Sequence, residues 1–244
     1  MNPKRIDITN VEYSTKFGIK LMVISDTHGS DIKPIIEIVS KIKPDGILVP
    51  GDFMNGKILQ DYPDHTKPIA QAFSDLNALS EIAETYVSIG NHEKHLTLEE
   101  RMGLRRSKAH ILDNEYTMAF GSILIGGLSS ATVYSNKRKQ ITPPNSEFIR
   151  EYDVQSGFKL LLCHHPEYYP DYLMNSNIDM IVSGHAHGGQ IRIGKTGLFA
   201  PGQGIFPKYT SGLYDNRLLV SRGVSGTKIT PRINNRPEIM VLTL

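Results

Sequence analysis

The chain has 244 residues, with 27 Lys+Arg against 25 Asp+Glu, nine His, one Cys and no Trp. A formal charge of +2 gives no overall attraction to nucleic acid or to an anionic membrane, and one cysteine excludes an internal disulfide framework. Hydrophobic residues at 39% and charged residues at 21% exclude disordered, collagen-like and coiled-coil chains.

The chain opens on Met1-Asn2-Pro3-Lys4-Arg5, but Asp7, Asn10 and Glu12 break any apolar core of a signal peptide. No segment approaches the roughly 18 apolar residues of a membrane span, so no transmembrane segment and a cytoplasmic location are expected. Short runs rich in β-branched residues then recur at 19–25, 46–49, 85–89, 122–125, 159–163 and 178–182, each the length of one buried strand. Ile35, Ile36, Ile38, Val39 and Ile42 follow Pro34, and Ile69, Ala72, Phe73, Leu76, Leu79 and Ile82 follow Pro68 at helical spacing. Strand alternating with helix predicts a largely parallel sheet. Residues 99–107 read as a short basic helix. The segments through Met118 and Ile125 read as strands without helices between them, which predicts a second, partly antiparallel sheet. The span 129–156 holds Lys137-Arg138-Lys139 and Pro143-Pro144, lacks clear periodicity, and reads as a long surface excursion on the substrate side. Further strands are expected at 218–221 and 239–244. With no repeat and no Gly/Ser linker, one domain over 1–244 is expected.

The polar residues fall where the apolar runs stop. Asp26-Thr27-His28 follows Leu21-Met22-Val23-Ile24, and Gly51-Asp52 follows Ile47-Leu48-Val49. Gly90-Asn91-His92-Glu93 follows Tyr86-Val87-Ser88-Ile89, His164 follows Leu160-Leu161-Leu162-Cys163, and Gly184-His185-Ala186-His187 follows Met180-Ile181-Val182. Ligands bind at the carboxyl ends of strands in such sheets. Five strand ends would thus bring two Asp, an Asn and the histidines together. Carboxylate and imidazole both suit Mn, Fe and Zn, and one aspartate can bridge two ions about 3.5 to 4 Å apart. Two ions carry more positive charge than two aspartates return, so the site would attract a phosphate ester although the chain is nearly neutral.

In that order, Asp-x-His, Gly-Asp, Gly-Asn-His-Glu, His-x-Pro and Gly-His-x-His resemble the calcineurin-like metallophosphoesterase superfamily from residue 19 to about 190. The tail, from Gly188-Gly189-Gln190-Ile191-Arg192 through Ser221-Arg222-Gly223 to Pro237-Glu238-Ile239, looks like the bacterial subgroup of phosphodiesterases and enzymes similar to UDP-diacylglucosamine pyrophosphatase. Members of that subgroup often carry an N-terminal membrane or export segment. The resemblance implies an α/β fold: a β-sandwich of two mixed sheets flanked by helices in four layers, α/β/β/α. It implies two divalent or trivalent ions (Mn, Fe or Zn), one held by Asp26, His28, Asp52 and His187 and the other by Asp52, Asn91, His164 and His185. His92 would then face the substrate as a catalytic group, and a metal-bound hydroxide would attack phosphorus in line.

Other residues carry plainer expectations. Asn91 could instead cap a following helix. His165 should point away from the ligand face into a supporting or core position, and Cys163 should be a small buried hydrophobe. His65, His95 and His110 are expected in surface or structural roles. Arg101, Arg105, Arg106 and Lys108 read as a solvated helix face and Lys137-Arg138-Lys139 as a solvated cluster of the excursion, with contact to an anionic substrate the alternative for both; Tyr134 could add a stacking surface to the second. The leading function is hydrolysis of a phosphodiester or pyrophosphate bond in a small phosphorylated substrate. Gly51-Asp52-Phe53-Met54-Asn55-Gly56 departs from the Gly-Asp-x-x-Asp-Arg-Gly of Ser/Thr protein phosphatases, which argues against that activity. A catalytically silent metal-binding scaffold for protein interaction is the alternative from another class. A nuclease using the same site is a third, disfavoured by the near-neutral charge. Substrate-binding residues and oligomeric state cannot be read from the sequence.

Overall fold

The computed structural model describes residues 6–61, 64–131, 141–201, 203–226 and 231–244. The first half alternates strand and helix. Its elements are β1 (Asp7–Glu12), β2 (Lys20–Val23), α1 (Lys33–Ile42), β3 (Gly46–Val49), α2 (Gly56–Asp61), α3 (Thr66–Ser80), β4 (Glu84–Ser88), α4 (Leu98–Leu104) and β5 (His110–Leu112). Then follow β6 (Glu115–Ala119), β7 (Ile123–Leu128), α5 (Ser146–Asp153), β8 (Phe158–Cys163) and β9 (Met180–Ser183). Four two-residue strands come next: β10 (Arg192–Ile193), β11 (Thr196–Gly197), β12 (Phe199–Ala200) and β13 (Gly204–Ile205). β14 (Gly212–Tyr214), β15 (Leu218–Val220) and β16 (Glu238–Thr243) complete the order.

Two six-stranded mixed sheets form, ordered β1-β16-β2-β3-β4-β5 and β14-β15-β9-β8-β7-β6. The strands β2 to β5 run parallel, as do β7, β8, β9 and β15, while β6 and β14 pair antiparallel at the edges of the second sheet. Side-chain alternation sorts three cores. Leu21, Val23, Leu48 and Tyr86 face Ile123, Ile125, Leu160, Leu162, Met180 and Val182 between the sheets. Met22, Ile24, Ile47 and Val49 face outward, onto Ile35, Ile38 and Val39 of α1 and Ala72, Leu76 and Leu79 of α3. Leu161, Cys163 and Ile181 point the other way, onto Phe148, Ile149 and Tyr152 of α5. Strands buried on both faces read as continuous apolar runs, which is why they stood out in the sequence. The result is the expected α/β/β/α order.

Several elements differ from the sequence reading: β1, β10–β13 and β14 were not expected, and two helices change the picture. The span 129–156 is not irregular throughout: α5 occupies 146–153, with Asn145 Oδ1 accepting from the N–H groups of Glu147 and Phe148 at 3.1 Å. The short helix α2 was not anticipated. The basic cluster at 137–139 and Tyr134 lie outside the described residues. Among the described residues no helix is long and apolar enough to cross a membrane.

Candidate metal centre

The site spans both sheets. Asp26, Asp52 and Asn91 stand past the carboxyl ends of β2, β3 and β4 in one sheet, and His164 and His185 past those of β8 and β9 in the other. Asp26, His28, Asp52, His185 and His187 all have left-handed backbone, with φ of 55°, 49°, 53°, 66° and 45°. That conformation costs an L-residue about 1–2 kcal/mol, and it persists where the surroundings over-determine it. Here the loops are stitched together: His28 N–H donates to Asp52 O at 3.0 Å, Ser225 N–H to Asp26 O at 3.1 Å, and Gly184 N–H to His164 O at 3.2 Å. Gly90 and Gly184 make the close approach possible. A Cβ on Gly90 would collide with Asp52, and one on Gly184 with Ser25 and Asp26.

Hydrogen bonds set the direction of each imidazole. His164 Nδ1 lies 2.8 Å from Pro50 O, and His187 Nδ1 lies 3.3 Å from Ser225 O, contacts that turn each Nε2 into the cluster. Gly56 N–H donates to His92 Nδ1 at 2.9 Å, which makes that atom an acceptor. His28 Nδ1 lies 3.0 Å from the same atom, and its Nε2 faces the cluster. Three Nε2 atoms therefore converge on two buried carboxylates. His28 Nε2 lies 3.3 Å from His187 Nε2, and these atoms lie 3.8 and 3.6 Å from Asp26 Oδ1. His164 Nε2 lies 3.0 Å from Asp52 Oδ2 and 4.0 Å from Asp26 Oδ1.

Asn91 Oδ1 is buried without a hydrogen-bond partner among the described residues, so Asn91 does not cap the turn that follows it. Asp26, His28 and His187 present ligand atoms within 4.8 Å of one another, as do Asp52, His164 and His185. This donor set fits metal ions of the kind that accept nitrogen and oxygen ligands.

The charge states follow the same logic. Burial would raise the pKa of Asp26 and Asp52, but the surrounding imidazoles hold both below the ordinary carboxylate range. Burial pushes His28 down to about 3 and lowers His185 and His187. At His164 burial is overcome by Asp52, which lifts it to about 10: in the metal-free chain a proton fills the place where positive charge is wanted.

Several supporting residues had no assigned role in the sequence. Glu93 is fully buried; its Oε2 accepts from Asp52 N–H at 3.0 Å and Gly90 N–H at 2.9 Å, and its Oε1 from Met54 N–H at 2.7 Å. It clamps the Asp52 loop to the Asn91 loop. The Asn235 amide donates to the carbonyls of His187 and Gln190 at 2.7 and 2.9 Å, fixing the histidine loop. His165 is buried behind the ligands, its Nε2 2.7 Å from Ser130 Oγ and its Nδ1 3.5 Å from Glu167. Cys163 is buried and its thiol pKa is pushed up by burial. His65 bonds Glu100 and Leu59 O, and His110 stacks on Tyr86. Arg101 pairs with Asp113, Arg105 binds Glu115 through two hydrogen bonds, and Lys108 pairs with Glu81, so these cations are matched by local carboxylates.

The sequence profile of the calcineurin-like phosphoesterase family matches residues 19–189. The chain belongs to that family. Among curated relatives it is 28% identical to phosphodiesterase YaeI of Escherichia coli, covering 92% of this chain and 82% of that one. It is 27% identical to the uncharacterized metallophosphoesterase YkoQ of Bacillus subtilis, covering 98% and 90%. It shares its fold with a dimetal phosphatase from Danio rerio, with a TM-score of 0.51 and 10% identity over 84% of this chain and 88% of that one. The protein is a metal-dependent phosphoesterase by family.

Proposed function

We propose that the protein is a binuclear phosphodiesterase. Asp26, His28, Asp52 and His187 would hold one ion and Asp52, Asn91, His164 and His185 the other, Asp52 being shared. The observation that carries this reading is the convergence of three imidazole Nε2 atoms on two carboxylates in a buried cluster. When bound, the ions would supply Lewis-acid charge to phosphoryl oxygens and activate water near neutral pH. Manganese is the ion proposed for assay, since it takes both donor types. A cytoplasmic site of action is part of the proposal, supported by a composition unlike that of disulfide-built secreted domains.

The chain's own groups divide the remaining work. Asp52 Oδ1 accepts from His92 N–H at 2.9 Å, which steers Oδ2 toward His164. His92 keeps its proton on Nε2, because Nδ1 is engaged by Gly56 N–H. It is thus a donor rather than a ligand, and with 32% of its side chain exposed it can meet a substrate. That Nε2–H would hydrogen-bond a phosphoryl oxygen as charge builds on it. The diester preference is supported by the name of the Escherichia coli relative.

The test is turnover of bis-p-nitrophenyl phosphate, p-nitrophenyl phosphate and UDP-linked sugars by manganese-loaded protein. Faster diester than monoester hydrolysis is expected, with His92→Ala keeping its metal and losing about 100-fold or more in turnover. Monoester hydrolysis alone, or metal loss in His92→Ala, would contradict the assignment.

A further inference from the structure

Four large apolar side chains stand in solvent within one stretch of fourteen residues: Ile193 at 70%, Phe199 at 44%, Ile205 at 75% and Phe206 at 71% exposure. Ile233, also exposed, is tied to the start of this stretch by its bridge to Ile191. Phe199 and Ile205 are opposed in the β12–β13 ribbon, so their side chains share a face. Phe206 follows with left-handed backbone at φ 52°.

Internal packing does not account for these side chains. The ribbons are held from beneath by polar groups. The buried Arg192 guanidinium donates to Gly188 O at 2.8 Å and to Lys195 O, Leu198 N–H donates to Ile191 O at 2.8 Å, and Gln203 exchanges two 2.8 Å bonds with the Tyr209 backbone. Contiguous exposed apolar groups on an ordered scaffold mark an interaction surface.

The charge around them selects the partner. From residue 180 to residue 214 the chain has no carboxylate, Lys195 and Lys208 are both exposed close in sequence to the apolar groups, and Asp215 is the carboxylate that acts on Lys208. Apolar side chains that enter the boundary below the headgroups, flanked by lysines that meet anionic headgroups, are the requirements of a peripheral membrane contact. We infer that the β10–β13 ribbons dock on an anionic phospholipid surface. Gly189 and Gly197 lie backbone to backbone, so the docked ribbons are continuous with the loop that carries His185 and His187. Membrane docking would therefore bring that loop close to the lipid surface. The inference stands apart from the catalytic assignment, because binding is read without turnover.

The experiment is co-sedimentation of the purified chain with vesicles of phosphatidylcholine mixed with phosphatidylglycerol, and with phosphatidylcholine alone. The chain is expected to pellet with the anionic vesicles. The double variant Ile205→Ser, Phe206→Ser should partition about tenfold more weakly, and Lys195→Glu several-fold more weakly on anionic vesicles only. Both variants should keep hydrolysis of a soluble diester, which controls for folding. Failure of the wild-type chain to pellet, equal binding to both vesicle types, or unchanged partition of the double variant would overturn the inference. So would light scattering that finds a dimer which the double variant converts to monomer, since a second copy would then cover the face.

Discussion

Glu93 shows how much of the centre depends on a residue that would touch neither ion nor substrate. Its carboxylate accepts three backbone N–H groups from two loops, against a pKa raised by burial and by Asp52. Glu93→Gln has one oxygen for three donors, so at least one buried N–H faces an amide N–H instead. A loss of about 2 kcal/mol or more is expected in denaturant unfolding, with weaker metal binding as the Asp52 loop loosens. Unchanged stability would contradict the clamp. The ligand candidates were legible because each sits at the end of an apolar run, where a polar residue interrupts a strong pattern. Glu93 was visible only as the last letter of a block. Two of its partners are backbone groups some forty positions away, and backbone hydrogen bonding leaves no mark on residue type. Asn235 was silent for the same reason.

At the level of elements, continuous β-branched runs revealed the strands buried on both faces, and spacing after Pro34 and Pro68 revealed α1 and α3. The short helices were hidden. α5 has eight residues and buries only Phe148, Ile149 and Tyr152, too few for a period to show. Its attachment to the second sheet is local and testable. The Tyr152 hydroxyl donates to Leu124 O at 2.6 Å and reaches Leu160 O at 3.0 Å, and its ring covers Gly126. Tyr152→Phe should cost about 1 kcal/mol and lower the melting temperature by about 2–4 °C, with soluble-diester turnover unchanged. A fall in turnover by a variant that melts normally would show that α5 acts on the site itself.

Across the whole molecule, the centre depends on an arrangement that strand patterns could not reveal. The sequence indicated that five strand ends meet, but not that three belong to one sheet and two to the other, nor that β16 returns between β1 and β2. Loops from both layers cross the gap between the sheets, and only there do Asp26 and Asp52 share the space around His164. Near-neutral net charge is compatible with a strongly charged centre, because ions are absent from composition, and with ribbons whose own span of chain, 180–214, carries no carboxylate, because charge is segregated along the chain. The central proposal, a two-ion site bridged by Asp52, is tested most directly by anomalous scattering from crystals of the manganese-loaded protein. Two peaks about 3.5 to 4 Å apart, with the Asp52 carboxylate between them, are expected; a single peak, or two peaks that Asp52 does not join, would contradict it.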